Sequence, residues 1–228
     1  GEGGWKISQQ MPKQWQINFR DVSVWARLTP FRHVGIFPEQ ASHWDWMAGL
    51  VQNASPPIRV LNLFGHTGIA TLLLAHNGAE VTHIDASSIS IAWARENQTL
   101  SRLNDAPIRW IVDDAVKFLK REVRRKAQYD GIIVDAPKFG RGTKGEIWKA
   151  HESLPKLLEL TRHLISPRPL FFFVTSYAAR ISAVTLYNML YDLMRPYKGM
   201  VEAGESAIKE NGEERLLAIA EFARWRRT

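Results

Sequence analysis

The chain has 228 residues, 45% apolar and 23% charged, with 30 Lys and Arg against 23 Asp and Glu. This fits one substantial core with a small appendage, and no apolar run approaches the roughly 18 residues of a membrane span. The lack of cysteine removes disulfides, thiolate metal sites and cysteine nucleophiles and fits a reducing, cytoplasmic setting, while the net charge of +7 favours anionic partners without choosing among them.

Residues 1–40 read as a short β-containing extension and residues 41–228 as the main domain. The opening GEGGW lacks an initiator Met and shows no secretory signal pattern. WQINF and VSVWARL form a candidate antiparallel pair. A turn follows, then a short strand around Val34–Phe37 and a helix from about Ser42 that Pro56 and Pro57 end. From Arg59 the pattern becomes regular. Strands IRVLNLF, EVTHID, PIRWIV, YDGIIVDA and PLFFFVTSY alternate with helices GIATLLLAHNG, SISIAWARENQTLSRL, DAVKFLKREVRRKAQ and GEIWKAHESLPKLLELTRHL, the last after a glycine-rich loop. Such alternation predicts crossover units and a mainly parallel sheet covered on both faces. A helix near ISAVTLYNMLYDLM then precedes two strands around Asn211-Gly212, a hairpin signal. The expected fold is a Rossmann-like α/β domain with a mainly parallel seven-stranded sheet and an antiparallel C-terminal edge pair.

In open parallel sheets ligands bind beyond the carboxyl ends of the strands. Four such ends carry suggestive groups. In NLFGHTG, Asn62–Gly68, Gly65 permits a tight turn and close approach of a ligand, and Gly68 sits beside unpaired helix N–H donors. Only G-x-x-G is present, and a purely structural turn reads equally well. Asp85 ends the second regular strand, where a carboxylate suits vicinal ribose hydroxyls; capping the next helix is the alternative, although Ser87 or Ser88 can do that instead. At Asp113-Asp114-Ala115 one acid can cap a helix and the other accept from an adenine amino group; Asp114 is favoured for adenine. In DAPKFG, Pro137 stiffens the turn after Asp135 and Ala136, Lys138 adds charge, and Phe139 offers a stacking surface for a flat substrate. The loop through Gly145 is long enough to act as a lid or substrate loop.

This series resembles the class I S-adenosylmethionine-dependent methyltransferases. More narrowly, it is similar to the bacterial ribosomal-RNA large-subunit methyltransferases related to the PUA-containing 5-methylcytosine enzymes, over FRHVGIFPEQASHWDW, VLNLFGHTGIATLLLAHNGAEVTHIDAS, IAWARENQTLS, IRWIVDDAVKFL and YDGIIVDAPKFGRG. The resemblance implies S-adenosylmethionine as cofactor. Phe64, Gly65, His66, Thr67 and Gly68, with Asn62, would line its methionine and ribose part. Asp85 would take the ribose hydroxyls, with Ala86 and Ser87 beside the adenine. Asp114 and Ala115, next to Asp113, would read the adenine edge. Gln40 would wall the amino-acid end, and Asp135 would sit near the reactive methyl with Ala136, Pro137, Lys138 and Phe139 around the acceptor.

Three departures shape the expectation. Methylation at cytosine C5 needs a thiolate that this chain lacks. The opening is too short for a PUA module. Asp-Ala-Pro-Lys replaces the Asn/Asp-Pro-Pro-aromatic pattern of amino-methylating enzymes. The resulting expectation is a methyltransferase for an amino or ring nitrogen of an RNA base, in ribosomal RNA processing, with no metal and no membrane. A small-molecule or protein methyltransferase and a noncatalytic binding domain are the alternatives; a dinucleotide oxidoreductase is disfavoured by the missing third glycine. The seven histidines form no H-E-x-x-H pattern. KFLKREVRRKAQ sets Val116, Leu119, Val123 and Ala127 on one side and Lys117, Lys120, Arg121, Arg124 and Arg125 mostly on the other, a face for phosphates or simply for solvent. The Trp-rich opening reads as packing more readily than as a base-stacking platform.

Overall fold

The computed structural model describes residues 4–8, 10–143, 145–177 and 181–228. In chain order the strands are β1 (Trp15–Phe19), β2 (Val22–Ala26), β3 (Ile58–Leu63), β4 (Ala79–Asp85), β5 (Ile108–Val112), β6 (Gly131–Ala136), β7 (Phe139–Arg141), β8 (Ile147–Lys149), β9 (Phe171–Ser176), β10 (Gly199–Lys209) and β11 (Leu216–Arg227). The helices are α1 (Ala41–Gln52), α2 (Ile69–His76), α3 (Ser88–Leu100), α4 (Ala115–Arg124), α5 (Ala150–Arg162) and α6 (Ala183–Met194), with a 3-10 turn at Pro38–Gln40.

The main sheet runs β10-β11-β9-β6-β3-β4-β5. Strands β9, β6, β3, β4 and β5 are parallel, and β11 joins antiparallel to β9 with β10 at the edge. Strand β3 is followed by β4 on one side, while β6 lies on the other, so the order reverses between β3 and β6 and opens a crevice above their carboxyl ends. The sheet is covered on both faces, as alternation in β9 shows. Phe171 and Phe173 pack among α1, α2 and the N-terminal strands, whereas Phe172 and Val174 pack among α4, α5 and α6. Each such buried aromatic contributes about 1.5–3 kcal/mol relative to exposure. Among the described residues, no helix is long and apolar enough to cross a membrane.

The β1–β2 pair docks on this domain through specific bonds. Ser23 N–H donates to Ser101 Oγ (3.0 Å), Trp25 N–H to Asn97 Oδ1 (2.8 Å) and Trp93 Nε1 to Trp25 O (3.0 Å). Val22 and Val24 are buried in the core beneath α1 and α2. Trp44 is buried there too, and Arg224 lies over Trp46, so these tryptophans serve packing.

Two expected elements differ. Val34–Phe37 forms no strand: only Arg27 N–H to Val34 O and Thr29 N–H to His33 O extend the pairing. Gly35 at φ +83° turns the chain out of the extended region, where a side chain would overlap the Trp93 ring. The helix expected from Gly145 starts at Ala150, because Ile147–Lys149 pairs with Phe139–Arg141 as a β-hairpin. Trp148, opposite Gly140, is held inward by its Nε1–H bond to Pro137 O (2.7 Å). The expected glycine-rich loop is thus largely this hairpin; Lys144 lies outside the described residues.

Candidate functional site

The turn after β3 is built by packing of the chain on itself. A Cβ on Gly65 would overlap the ring of His83, and one on Gly68, at φ +86°, would sit 3.1 Å from Ala94 Cβ and the Trp110 ring. The glycine spacing therefore first serves the approach of neighbouring side chains. The flanking Phe64 (φ 59°) and His66 (φ 49°) hold left-handed backbone without being glycine, which costs on the order of 1–3 kcal/mol each. Asn62 Nδ2 donates to Thr71 Oγ1 (2.9 Å), which lies 2.8 Å from His83 Nδ1. Thr67 Oγ1 donates to Gly35 O (2.6 Å), tying the turn to the segment after β2.

Asp85 at the end of β4 clamps two turns. One carboxylate oxygen accepts the His66 N–H (2.9 Å) and the other the Ser87 N–H (2.8 Å). Desolvation pushes its carboxyl up from the usual range, opposed by these two bonds. Ser87 caps α3, accepting from Ser90 N–H (3.1 Å), so Asp85 is free of capping. The expected division at Asp113 and Asp114 needs correction. Asp114 is the cap of α4, accepting from Lys117 N–H (2.9 Å), and its neighbour is not idle. Asp113 accepts the Asp114 N–H (2.9 Å) and pairs with Arg121. Any adenine contact by Asp114 is made alongside its cap.

Asp135 ends β6 inside a network drawn from distant segments. Oδ1 accepts from Thr175 Oγ1 on β9 and from Gln40 Nε2 (3.1 Å). Gln40 Nε2 also donates to the Tyr177 hydroxyl (2.8 Å), which in turn lies 3.4 Å from Glu39 Oε1. Desolvation raises the Asp135 carboxyl to about 6; the Thr175 hydroxyl opposes the rise, the Glu39 charge adds to it and the Tyr177 hydroxyl opposes it. Burial, then the charge of Asp135, pushes the Tyr177 phenol upward as well. Gln40 Oε1 is buried without a partner.

Two cavities meet over these strand ends. The larger, about 630 Å³, is bounded by eleven of the anticipated residues: Phe64, His66, Asp85, Ala86, Ser87, Asp113, Asp114, Ala115, Asp135, Pro137 and Lys138. The smaller, about 40 Å³, is bounded by Gln40, Asn62, Gly65, His66, Thr67, Gly68 and Asp135. His66 and Asp135 border both. Of the anticipated set, Ala136, whose side chain is fully buried, and Phe139 line neither cavity. Phe139 is 56% exposed, and the aromatic wall comes instead from Phe64, whose ring lies tilted against Trp148 at 4.8 Å, with Phe37 and Trp93. His66 faces His33 and Phe37 edge-on (5.2 and 5.3 Å), and burial pushes its ring down to about 4, so it is neutral near pH 7.

These groups fit the nucleoside sulfonium that the resemblance implies. Each Asp85 oxygen has one bond from the backbone and a remaining lone-pair direction for a hydroxyl. The buried, unpaired Gln40 Oε1 beside Asp135 is an acceptor for an ammonium group, and the aromatic wall suits a flat ring.

Sequence reasoning missed Phe37, Trp93, Trp148, Thr175, Tyr177 and Glu39. Trp148 was hidden by a helical reading, while Thr175 and Tyr177 follow an apolar strand like any strand end. The basic face of α4 is also largely self-compensated: Lys117 pairs with Glu146, Arg121 with Asp113 and Arg125 with Glu122 (2.9 Å). Among the described residues, no group of three or more His, Asp or Glu has metal-binding geometry.

No protein-family model matches the chain. A solved SAM-dependent methyltransferase from Agrobacterium tumefaciens superposes with a TM-score of 0.95 at 44% identity, covering 100% of this chain and 75% of that one. The ribosomal RNA large subunit methyltransferase K/L of Shewanella sp. (strain ANA-3) is 35% identical over 121 residues, 52% of this chain and 17% of the relative. That of Chromohalobacter salexigens is 26% identical over 157 residues, 68% of this chain and 20% of the relative. The chain thus spans about a fifth or less of the length of these curated relatives.

Proposed function

The chain belongs to the S-adenosylmethionine-dependent methyltransferases, as a class I member related to the ribosomal RNA large-subunit K/L enzymes, and from that premise we propose that it methylates a nitrogen of an RNA base. Bound S-adenosylmethionine supplies an electrophilic methyl group that carries its own activation. The chain's part is alignment and exclusion of water.

The observation that carries the acceptor reading is Asp135, at the end of β6 and bordering both cavities. In this reading Asp85 holds the ribose, Asp114 and Ala115 the adenine edge, and Gln40 the amino-acid end. Asp135, ionised above about pH 6, accepts the N–H of the base and leaves its lone pair facing the methyl. The N–C bond forms as the methyl's bond to sulfur breaks, the sulfur leaving as a neutral thioether, and the carboxylate takes the proton that the now positively charged nitrogen gives up. Thr175 and Tyr177 position that carboxylate. Cytosine C5 is disfavoured because this chain supplies no thiolate for addition at C6. The acceptor side is bordered by Lys138 and Arg141, which favours a polyanion over a neutral small molecule.

Mass spectrometry of nucleosides tests the proposal, after undermethylated ribosomal RNA has been incubated with the protein and isotope-labelled cofactor. A labelled N-methyl nucleoside is expected. Label confined to protein or small molecules removes RNA as the acceptor.

A further inference from the structure

The β7–β8 hairpin has two dissimilar faces. Pairing sets Phe139 opposite Lys149 and Arg141 opposite Ile147, with Gly140 and Trp148 between them. Opposed residues share a face and neighbours alternate, so Phe139, Arg141, Ile147 and Lys149 all lie on one side. All four are exposed, Phe139 by 56% and Ile147 by 63%, while Trp148 on the other side is buried against Phe64. The inward face walls the 630 Å³ cavity, and the outward face begins at its rim, where Arg141 also borders the cavity. Lys149 pairs with Glu152 (3.1 Å), whereas Lys138 and Arg141 form no ion pair among the described residues. Two large exposed apolar groups interleaved with cations, on the rim of a deep aromatic cavity, match the chemistry of a strand with π-faces and phosphates.

We propose that this outward face is a docking platform for the unpaired nucleotide next to the methylated base: Phe139 stacks on its base and Arg141 contacts its phosphate, while Lys138, before β7 on the cavity's border, contacts the phosphate leading to the target base. The target base then enters the cavity on the Trp148 side of the same hairpin, and the strand is splayed across it. This rests on RNA being the substrate. It gives Phe139 a role outside the cavity and makes the acceptor single-stranded at the site of entry, since a duplex keeps adjacent bases stacked on each other.

Fluorescence anisotropy with a labelled single-stranded RNA of about 16 nucleotides and mixed sequence tests it. Calorimetry with S-adenosylmethionine serves as the control for folding. Phe139→Ala should weaken RNA binding about fivefold or more, with Phe139→Trp restoring it and Phe139→Leu failing to, at unchanged cofactor affinity. Arg141→Gln should lower the slope of log Kd against log salt by about 0.7. If Phe139→Ala also loses the cofactor, Phe139→Leu against Phe139→Trp carries the comparison. RNA bound equally by the wild type, Phe139→Ala and Phe139→Leu overturns the platform and leaves the RNA reading standing. A wild type that binds cofactor but no RNA overturns both.

Discussion

The ends of β4 and β5 and the end of β6 face one cavity but are held by different means. Asp85 is fixed by backbone N–H groups of His66 and Ser87, and Asp114 by its bond to a backbone N–H one turn into α4. Asp135 is fixed by side chains from the 3-10 turn and β9, with Tyr177 beyond it, separated from it by 95 residues (Gln40) and 40 residues (Thr175). Backbone clamps leave a carboxylate insensitive to neighbouring substitutions. A side-chain cage makes its proton affinity adjustable. In the proposed reading the backbone-clamped carboxylates hold the nucleoside, and the caged one on the acceptor side is where chemistry is tuned.

The largest effect should come from breaking the tuned half. Asp135→Asn is expected to lower single-turnover methyl transfer by about 100-fold or more while cofactor affinity stays near that of the wild type. The same substitution should stabilise the fold at high pH. With its carboxyl near 6 in the native state and 3.8 when unconstrained, Asp135 binds more protons folded than unfolded between those values. Its contribution to stability is therefore full below about pH 4 and lost as pH rises through about 6. Thermal melts should show a greater gain for Asp135→Asn at pH 8 than at pH 4. An equal gain at both pH values would contradict the buried, raised carboxyl. Next in size, Asp85→Ala should weaken S-adenosylmethionine about 10- to 100-fold by calorimetry, since hydrogen bonds to a charged group contribute about 1.5–3 kcal/mol. Unchanged affinity would remove the ribose assignment.

The same contrast explains what the sequence discloses. The parallel sheet, its helices and the antiparallel end are local patterns: periodicity, a glycine past a helix, Asn211-Gly212 at a turn. Asp85, Asp114 and Asp135 are readable because a parallel sheet puts every strand's carboxyl end on one side. The cage around Asp135 is not readable, because nothing local to Thr175 or Tyr177 says that β9 lies beside β6. Trp148 fails for another reason: IWKAHESL fits a helical period, and only pairing with Phe139–Arg141 turns its first residues into a strand. Gly65 is the instructive middle case. Its position is legible, and the cause the fold itself supplies is the ring of His83, which a side chain there would overlap.

That cause makes the third prediction. Gly65→Ala should destabilise the cofactor-free protein by about 1–3 kcal/mol, read as a fall in Tm, because the new methyl overlaps a buried ring. His83→Ala in the same chain should recover part of that loss through a non-additive coupling, since the two groups touch. Full additivity would mean that the turn, and not the packing beneath it, demands glycine.

The smallest effects are the most discriminating, because they have opposite signs. In Thr175→Val the ionised Asp135 loses a donor at constant volume, so its carboxyl rises further and the acid limb of the kcat/KM profile moves up by about one pH unit. In Glu39→Gln the neighbouring negative charge is removed, so the carboxyl falls toward its ordinary range and the limb moves down. A general loss of packing would lower rates at all pH values and move neither limb. Two limbs moving in the same direction would also contradict the cage, since a donor to the carboxylate and a like charge beside it act on ionisation with opposite sign. Opposed shifts, with S-adenosylmethionine affinity unchanged in both variants, would locate the tuning in the acceptor half alone and leave the backbone-clamped half as its fixed reference.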